Sequence, residues 1–500
     1  MFKMKFSAVG STAALALLLT LGATTGCKDQ LELSPQQSID AGEALNSREG
    51  IESAVVGAYA RLDLPQLYGT NMLLLPELLA SENNINWQGT FVSYREVARK
   101  EMTSLNTEAD RTFNQAYQTI NLTNLILAAI NPTAVTDEDD RAQFEGEAKF
   151  IRALVYFDLV RLYAQQYQAA TAASQPGVPL SLTPNTSEEQ AGQRLPRASV
   201  AAVYQQVIQD LQDAIAKLPE ANGVRADVYD AQALLSRVYL QQANYTQARN
   251  LANEVIQNSG AALNASVLSA FTNRNTRESL FEIQQNDQNN AGAANDGLAT
   301  FYSSNAAGFG GRGDVQILES FAGLYGVRDQ RGSAQGIGNS LIYTGTGRRA
   351  GRLRSYKWNT AGQNIPIIRI AELYLTRAEA NFRLGAAVGA SPWADVNRIR
   401  ARAQADSLNP VILKDANNVP IIDPTTNQPQ KNPNARQITL AQILRERELE
   451  LAFEGFRLHD YRRTQRDIST AIPWNSPRLV MPIPQHEINL GNALPQNPGY

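Results

Sequence analysis

The sequence predicts a mainly α-helical protein in which a scaffold of paired helices carries an irregular, loop-rich lobe. Three observations lead there. Apolar residues recur at helical spacing through 147–166, 199–218 and 227–257. From 261 to about 360 that period gives way to Gly, Asn, Ser and aromatic residues, with short strand-like runs at 279–284 and 341–344. The helical period then returns at 370–384, 396–403 and 440–453.

Residues 1–26 are set apart from the fold. Lys3 and Lys5 precede an uncharged run from Ala8 to Ala23, and the small residues Thr24-Thr25-Gly26 lead into Cys27. A charged start, a short apolar stretch and a small-residue end make a secretory signal. A stable span needs roughly 20 strongly apolar residues, more than this Ala- and Gly-rich run supplies. Cys27 is the sole cysteine of 500 residues, so no internal disulfide forms and stability rests on core burial. Its setting resembles a bacterial lipobox, with Thr24 where that pattern prefers Leu, which implies lipidation of Cys27. Residues 27–40 then read as a polar tether. No later stretch approaches 18 apolar residues.

The helices follow in order. Ile151, Leu154, Val155, Leu159 and Leu162 form one stripe. Ser199 caps the next helix, lined by Val203, Val207, Leu211, Ile215 and Leu218 and stopped by Pro219. Asp227 and Asp230 open a third, with Leu234, Leu235, Val238 and Tyr239; a fourth runs from Tyr245 to Ser259-Gly260. Segments 231–242 and 245–257, joined by Ala243-Asn244, resemble one tetratricopeptide hairpin, with Ala231, Ala248 and Ala252 permitting close approach. Gly385 closes the helix from Ile370, Ser391-Pro392 precedes the next, and Thr439 with Gln442 forms a capping box. The expected organisation is a helical part over 41–260 and a second part over 261–500. Within the latter, 261–365 and 404–437 form the irregular lobe, and helices at 366–403 and 438–465 return to the scaffold.

Catalytic and metal chemistry find little support. Only His459 and His486 exist, so a histidine or thiolate metal site is excluded, and no cofactor is expected. His459 reads as packing or capping. Glu446, Glu450 and Glu454 share a helix face near Arg447 and Arg457, which suits an ion-pair network better than a glycosidase pair flanking a bond. Thr136–Asp140 reads as the acidic start of a helix rather than a calcium loop. Gly308–Asp314 lacks the ending of a phosphate loop and reads as a flexible loop. A formal charge of −3 gives no reason to expect nucleic acid.

Five segments, in order, resemble signatures of the SusD/RagB family. They are Gly146-Glu147-Ala148-Lys149-Phe150-Ile151-Arg152-Ala153 continuing to Tyr163; Ile368-Arg369-Ile370-Ala371-Glu372-Leu373-Tyr374 continuing to Ala380; and Val396–Ala403. The fourth is Arg445-Glu446-Arg447-Glu448-Leu449-Glu450-Leu451 continuing to Arg457, with Asp460, Arg462 and Arg463. The fifth is Pro482–Ile488 with the terminal Gln496–Tyr500. The resemblance implies a tetratricopeptide-like scaffold of about four helical pairs and a lipoprotein on the outer face of the outer membrane. It implies a lid on a SusC-like, TonB-dependent β-barrel transporter that receives oligosaccharides, or in some members peptides.

That reading directs attention to residues able to stack on sugar rings or bond hydroxyls. Trp87 and Asn84, in the polar loop after Ser81, are the first candidates for ligand contact. Tyr302, Tyr343 and Trp358, with Phe301, follow in the irregular lobe, whereas Trp393 reads as packing. The arginine content hints at acidic ligands without selecting one. The rival readings are a peptide-capturing relative, a surface glycoside hydrolase, and a tetratricopeptide scaffold for protein assembly.

Overall fold

The longest helix shows how the sequence sets the architecture. In the computed structural model, which describes residues 44–187, 190, 195–307, 309–336, 338–490 and 494–500, it spans Glu138–Tyr163, capped by the Asp137 side chain on the Asp140 N–H. The acidic segment 136–140 is therefore a helix start, as its charge pattern requires. Ile151, Leu154, Val155, Leu159 and Leu162 are all fully buried. Beyond Gly146 every residue but the half-buried Lys149 is buried, so the helix forms the spine of the scaffold.

Around it the elements run α1 (Arg48–Leu62), α2 (Asn71–Leu79), β1 (Ile85–Trp87), α3 (Val92–Arg99), α4 (Thr107–Ala129) and the spine α5, then β2 (Pro176–Pro179), β3 (Arg197–Ser199), α6 (Val200–Lys217), α7 (Val228–Gln241) and α8 (Tyr245–Asn258). There follow β4 (Ser279–Ile283), β5 (Val315–Ile317), β6 (Ile342–Thr344), β7 (Leu353–Ser355), β8 (Ile365–Arg369), α9 (Ile370–Leu384), α10 (Pro392–Arg402), α11 (Leu440–Glu450) and α12 (Arg457–Arg463). Each of α4 to α10 packs on its neighbour in sequence, α8 meeting α9 across the irregular lobe. The fold is mainly helical and tetratricopeptide-like. The caps at Ser199, at Asp227 with Asp230, and at Thr439 with Gln442 are all formed. In the α7–α8 hairpin Ala243 takes φ +58° and Ser236 Oγ donates to the Ala248 carbonyl at 2.8 Å.

β2 and β3 pair with each other on the scaffold; the other strands lie in the irregular lobe and at its junction with the scaffold. An antiparallel sheet has the order β1-β5-β7-β6, with Ile85 opposite Ile317 and Trp87 opposite Val315. Separately, β4 pairs with β8, whose last residue, Arg369, caps α9. No helix among the described residues is long and apolar enough to cross a membrane.

Helix α11 ends three residues earlier than its apolar period suggests. Phe453 and Gly455 adopt φ +66° and +83°, turning the chain toward α2, where a Cβ on Gly455 would lie 3.0 Å from Leu73 Cα. The Gly455 N–H donates to Glu77 Oε1 at 3.0 Å. Burial pushes the Glu77 carboxyl up to about 7, although Arg457 opposes the shift.

Around α11 lies a buried ion network. Glu450 meets Arg331 (3.1 Å), Arg369 (3.1 Å) and Arg402 (2.5 Å); Glu446 meets Arg331 and Arg400 (2.7 Å each); Glu454 meets Arg369 (2.7 Å) and Lys357 (2.6 Å). Glu278 on the β4 side bridges Arg369 and Arg402. Burial works against ionisation of Glu450, but Arg402, Arg369 and Arg331 outweigh it and hold the carboxyl well below the ordinary range. The carboxylate cluster is thus an ion-pair network, with a different partner set: Arg447 pairs with Asp460 and Glu372, and Arg457 with Glu448.

Three outcomes follow for stability. Glu450→Ala leaves three buried guanidiniums short of their carboxylate, so urea denaturation should show a loss of about 3–5 kcal/mol. Arg445→Ala, which removes a half-exposed partner of Glu448, should leave the midpoint nearly unchanged. For Glu77 the folded value lies above the ordinary 4.5, so the folded state binds the proton more tightly and stability falls as pH rises through about 7. Glu77→Gln keeps an acceptor for Gly455 and should gain in melting temperature over the parent as pH is raised from about 5 to about 8.

Candidate ligand-binding cleft

Helix α2, almost wholly apolar, is buried along its length, so the polar segment after it is driven to the surface. Lys100, at the left-handed C-cap of α3, reaches back to tie that segment down. Its ammonium donates to the Ser81 and Ala98 carbonyls and lies 3.2 Å from Glu82 Oε1. Burial pulls this ammonium below its ordinary value, against the opposing pull of Glu82.

β1 then forms the rim of the sheet. The Leu318 N–H donates to the Asn84 carbonyl, and the Gln88 N–H to the Asp314 carbonyl. Antiparallel bonding alternates, so Asn86 faces β5 and the backbone groups of Ile85 and Trp87 point to the open edge. Behind the strand sits an aromatic cluster: Trp87 lies 5.1 Å from Tyr94 and 5.4 Å from Phe301, centroid to centroid. Phe91, partly exposed, closes the cluster, with the Arg312 guanidinium 4.4 Å above its ring. Gly89 permits the return of the chain across Trp87, because a Cβ there would lie 2.5 Å from the indole.

Between β1 and α3 opens a cleft of about 450 Å³, lined by Ser81, Glu82, Ile85, Asn86, Trp87, Arg95, Ala98, Arg99 and Leu318. That volume falls within the roughly 300–1,000 Å³ of small-ligand sites. Consecutive residues of a strand point to opposite faces, so a cavity touching Ile85, Asn86 and Trp87 together runs along the strand edge. It offers an exposed amide (Asn86), two arginines, a carboxylate and an indole edge. The Trp87 Nε1 has no hydrogen-bond partner. A second cavity, of about 290 Å³, lies between α1 and β4 and is walled mainly by Val56, Tyr59, Val224 and Phe281.

Of the sequence candidates, Trp87 lines the cleft, 8% exposed. The others require correction. Asn84 is 1% exposed and faces a small internal space beside Glu77 and Arg457; its Oδ1 has no partner. Tyr302 is fully buried against Phe453, its hydroxyl unpartnered. Tyr343 is also fully buried, its hydroxyl accepting from the Ser304 N–H at 3.1 Å. Trp358 packs edge-on against Phe271 and donates Nε1–H to the Phe453 carbonyl at 2.9 Å. Phe301 is fully buried. These side chains build the core of the lobe and present no ring face to solvent. Trp393, as expected, is a packing residue whose Nε1–H donates to the Leu408 carbonyl.

Segment 309–314 is held in place rather than loose: Arg312 N–H donates to the Thr300 carbonyl, and Asp314 pairs with Arg312 and Arg349. Cys27 and the segments 1–26 and 27–40 lie outside the described residues. Sequence reasoning missed Asn86, Arg95 and Arg99. Two arginines one helical turn apart were the only available signal.

Comparison with known proteins gives consistent matches. A family model described as starch-binding and associating with the outer membrane matches residues 29–240, and the SusD family model matches 325–478. SusD-like protein P2 of Formosa agariphila is 26% identical over 542 residues, covering 97% of this chain and 98% of its own. SusD-like protein P25 of the same organism is 23% identical over 439 residues, covering 76% and 79%. A SusD superfamily protein of Bacteroides thetaiotaomicron superposes with a TM-score of 0.73 at 24% identity, covering 90% of this chain and 100% of that one. A putative sugar binding protein of Bacteroides vulgatus gives 0.74 at 23%, covering 91% and 99%.

The burial pattern separates core aromatics from cleft residues. Trp358→Ala should cost about 3–5 kcal/mol in urea denaturation. Tyr302→Phe, which deletes a buried hydroxyl without a partner, should raise stability by about 1–2 kcal/mol.

Proposed function

Because the chain belongs to the SusD/RagB family, we propose that it is a cell-surface lipoprotein that captures oligosaccharides non-covalently and passes them to a SusC-like, TonB-dependent outer-membrane transporter. The observation that carries the reading is the cleft beside β1, where an indole edge, the Asn86 amide, two guanidiniums and unpaired strand-edge groups converge. Such a mixture of apolar wall and few polar groups suits a sugar chain, whose C–H faces pack while its hydroxyls exchange hydrogen bonds. The protein acts by binding rather than by catalysis. The carboxylates at Glu446, Glu450 and Glu454 are committed to buried cations and leave no acid-base pair in the cleft.

In this reading residues 1–26 are removed, Cys27 carries the acyl chains, and 27–40 tether the folded part to the outer membrane, facing outward. Two or more acyl chains give stable anchoring, each buried CH₂ adding about 0.8 kcal/mol. A second reading is capture of peptides, whose terminal carboxylate could be met by the Arg95 and Arg99 guanidiniums of the cleft.

The deciding experiment is calorimetric titration of the protein against oligosaccharides and mixed oligopeptides, with product analysis of each mixture. Binding of a glycan without cleavage, weakened about tenfold or more by Asn86→Ala at unchanged melting temperature, is the expected result. Release of shorter sugars would return the protein to the hydrolases, and heat from peptides alone would select the second reading. For the anchor, Cys27→Ala should move the protein from the membrane to the soluble fraction.

A further inference from the structure

Two guanidiniums in the cleft wall have no protein partner. Arg95 and Arg99 stand one turn apart on α3, which puts their Cβ atoms about 5–6 Å apart on one helix face. Neither side chain bonds or ion-pairs with any described residue. Most buried arginines of this protein, such as Arg331, Arg369, Arg402 and Arg447, are held by carboxylates. Glu82, the one carboxylate in the cleft lining, is already paired with Lys100. Beside the cleft, Asp314 is shared between Arg312 and Arg349 and adds no free negative charge. The lining is therefore positive, although the whole chain carries a formal charge of −3.

Arg95 is half-buried and Arg99 exposed, so water solvates both until a ligand enters, and a neutral sugar would offer them only hydroxyl acceptors. A guanidinium is a planar fork of N–H donors that matches a carboxylate or a sulfate with two parallel bonds. The walls of Ile85, Trp87 and Leu318 lower the local dielectric and strengthen such a pair. The geometry points to an anionic oligosaccharide, carrying uronate carboxylates or sulfate esters, as the ligand class of this cleft; Arg95 and Arg99 take the anionic groups while Asn86 and the open edge of β1 bond the hydroxyls. The assignment rests on the reading of this cleft as the ligand site. An acidic peptide fits less well, because β1 is three residues long and only Ile85 and Trp87 turn their backbone groups outward, too few for a strand to add.

The test uses matched probes that differ in charge alone: tetragalacturonate against its methyl ester, and sulfated against unsulfated dextran oligomers. Affinities are measured on the full chain in detergent micelles. The acidic member of a pair should bind about tenfold or more tightly, with the preference shrinking as salt is raised. R95Q/R99Q should abolish the preference at unchanged melting temperature, and Arg478→Gln, an exposed arginine outside the cleft, should keep it. Equal affinity within both pairs, no binding of either acidic probe, or a preference that survives R95Q/R99Q overturns the assignment. Neutral glycans that bind the parent while neither acidic probe does would remove the anionic ligand and leave glycan capture standing. Binding confined to Glu-rich peptides would remove both.

Discussion

The position of Glu450 constrains much of this molecule. Its carboxylate is fully buried and is held by three guanidiniums that arrive from three places: Arg331 from the irregular lobe, Arg369 from the end of β8, and Arg402 from α10. Charges withdrawn from water are tolerated only when paired in good geometry. The network is therefore satisfied only when the lobe, the sheet strands and the returning helices are docked together. Hydrophobic burial alone accepts many near-equivalent packings; an ion cluster with fixed partners accepts few. This gives a physical reason for the charged segment Glu446–Glu454 to sit at the centre of the structure rather than on its surface.

The cleft depends on that docking at one remove. The turn that ends α11 places Gly455 against α2, and the Gly455 N–H binds Glu77, so the start of the polar 81–84 segment is fixed from below. Lys100 fixes it from the side. β1 then closes one edge of the sheet, and its partner strand β5 comes from a segment more than two hundred residues later. A site with one wall from α3 and another from the β1–β5 pair exists only in the folded chain. Most of the lobe's aromatic rings serve to brace this arrangement, and the polar groups that meet solvent stand at its rim.

Family membership and site chemistry contribute different things. The family matches establish the scaffold and a carbohydrate-binding lineage associated with the outer membrane. They leave the ligand open, because a shared fold does not fix the chemistry of the site it carries. The selectivity of this chain has to be argued from its own rim residues, among which unpaired charge is the most informative feature.

By itself the sequence determined the local structure. The stripes of α5 to α8 were visible, as were the caps at Ser199, Asp227 and Thr439, the stop at Gly385 and the break in period after Gly260, because helical periodicity and capping are encoded within a few neighbouring residues. The ion-pairing role of Glu446, Glu450 and Glu454 was also visible, from their shared helix face. Only the tertiary structure decided which partners they took, that α11 stops at Glu450, and which polar or aromatic residues reach solvent. Asn84, Tyr302, Tyr343 and Trp358 looked like ligand-binding residues because they lie in polar, loop-rich sequence; they are interior because distant segments fold over them. Beyond their one-turn spacing, nothing local marks Arg95 and Arg99, which line the cleft only because β1 is laid beside α3. Burial is a property of contacts between residues far apart in the chain, and no local pattern carries it.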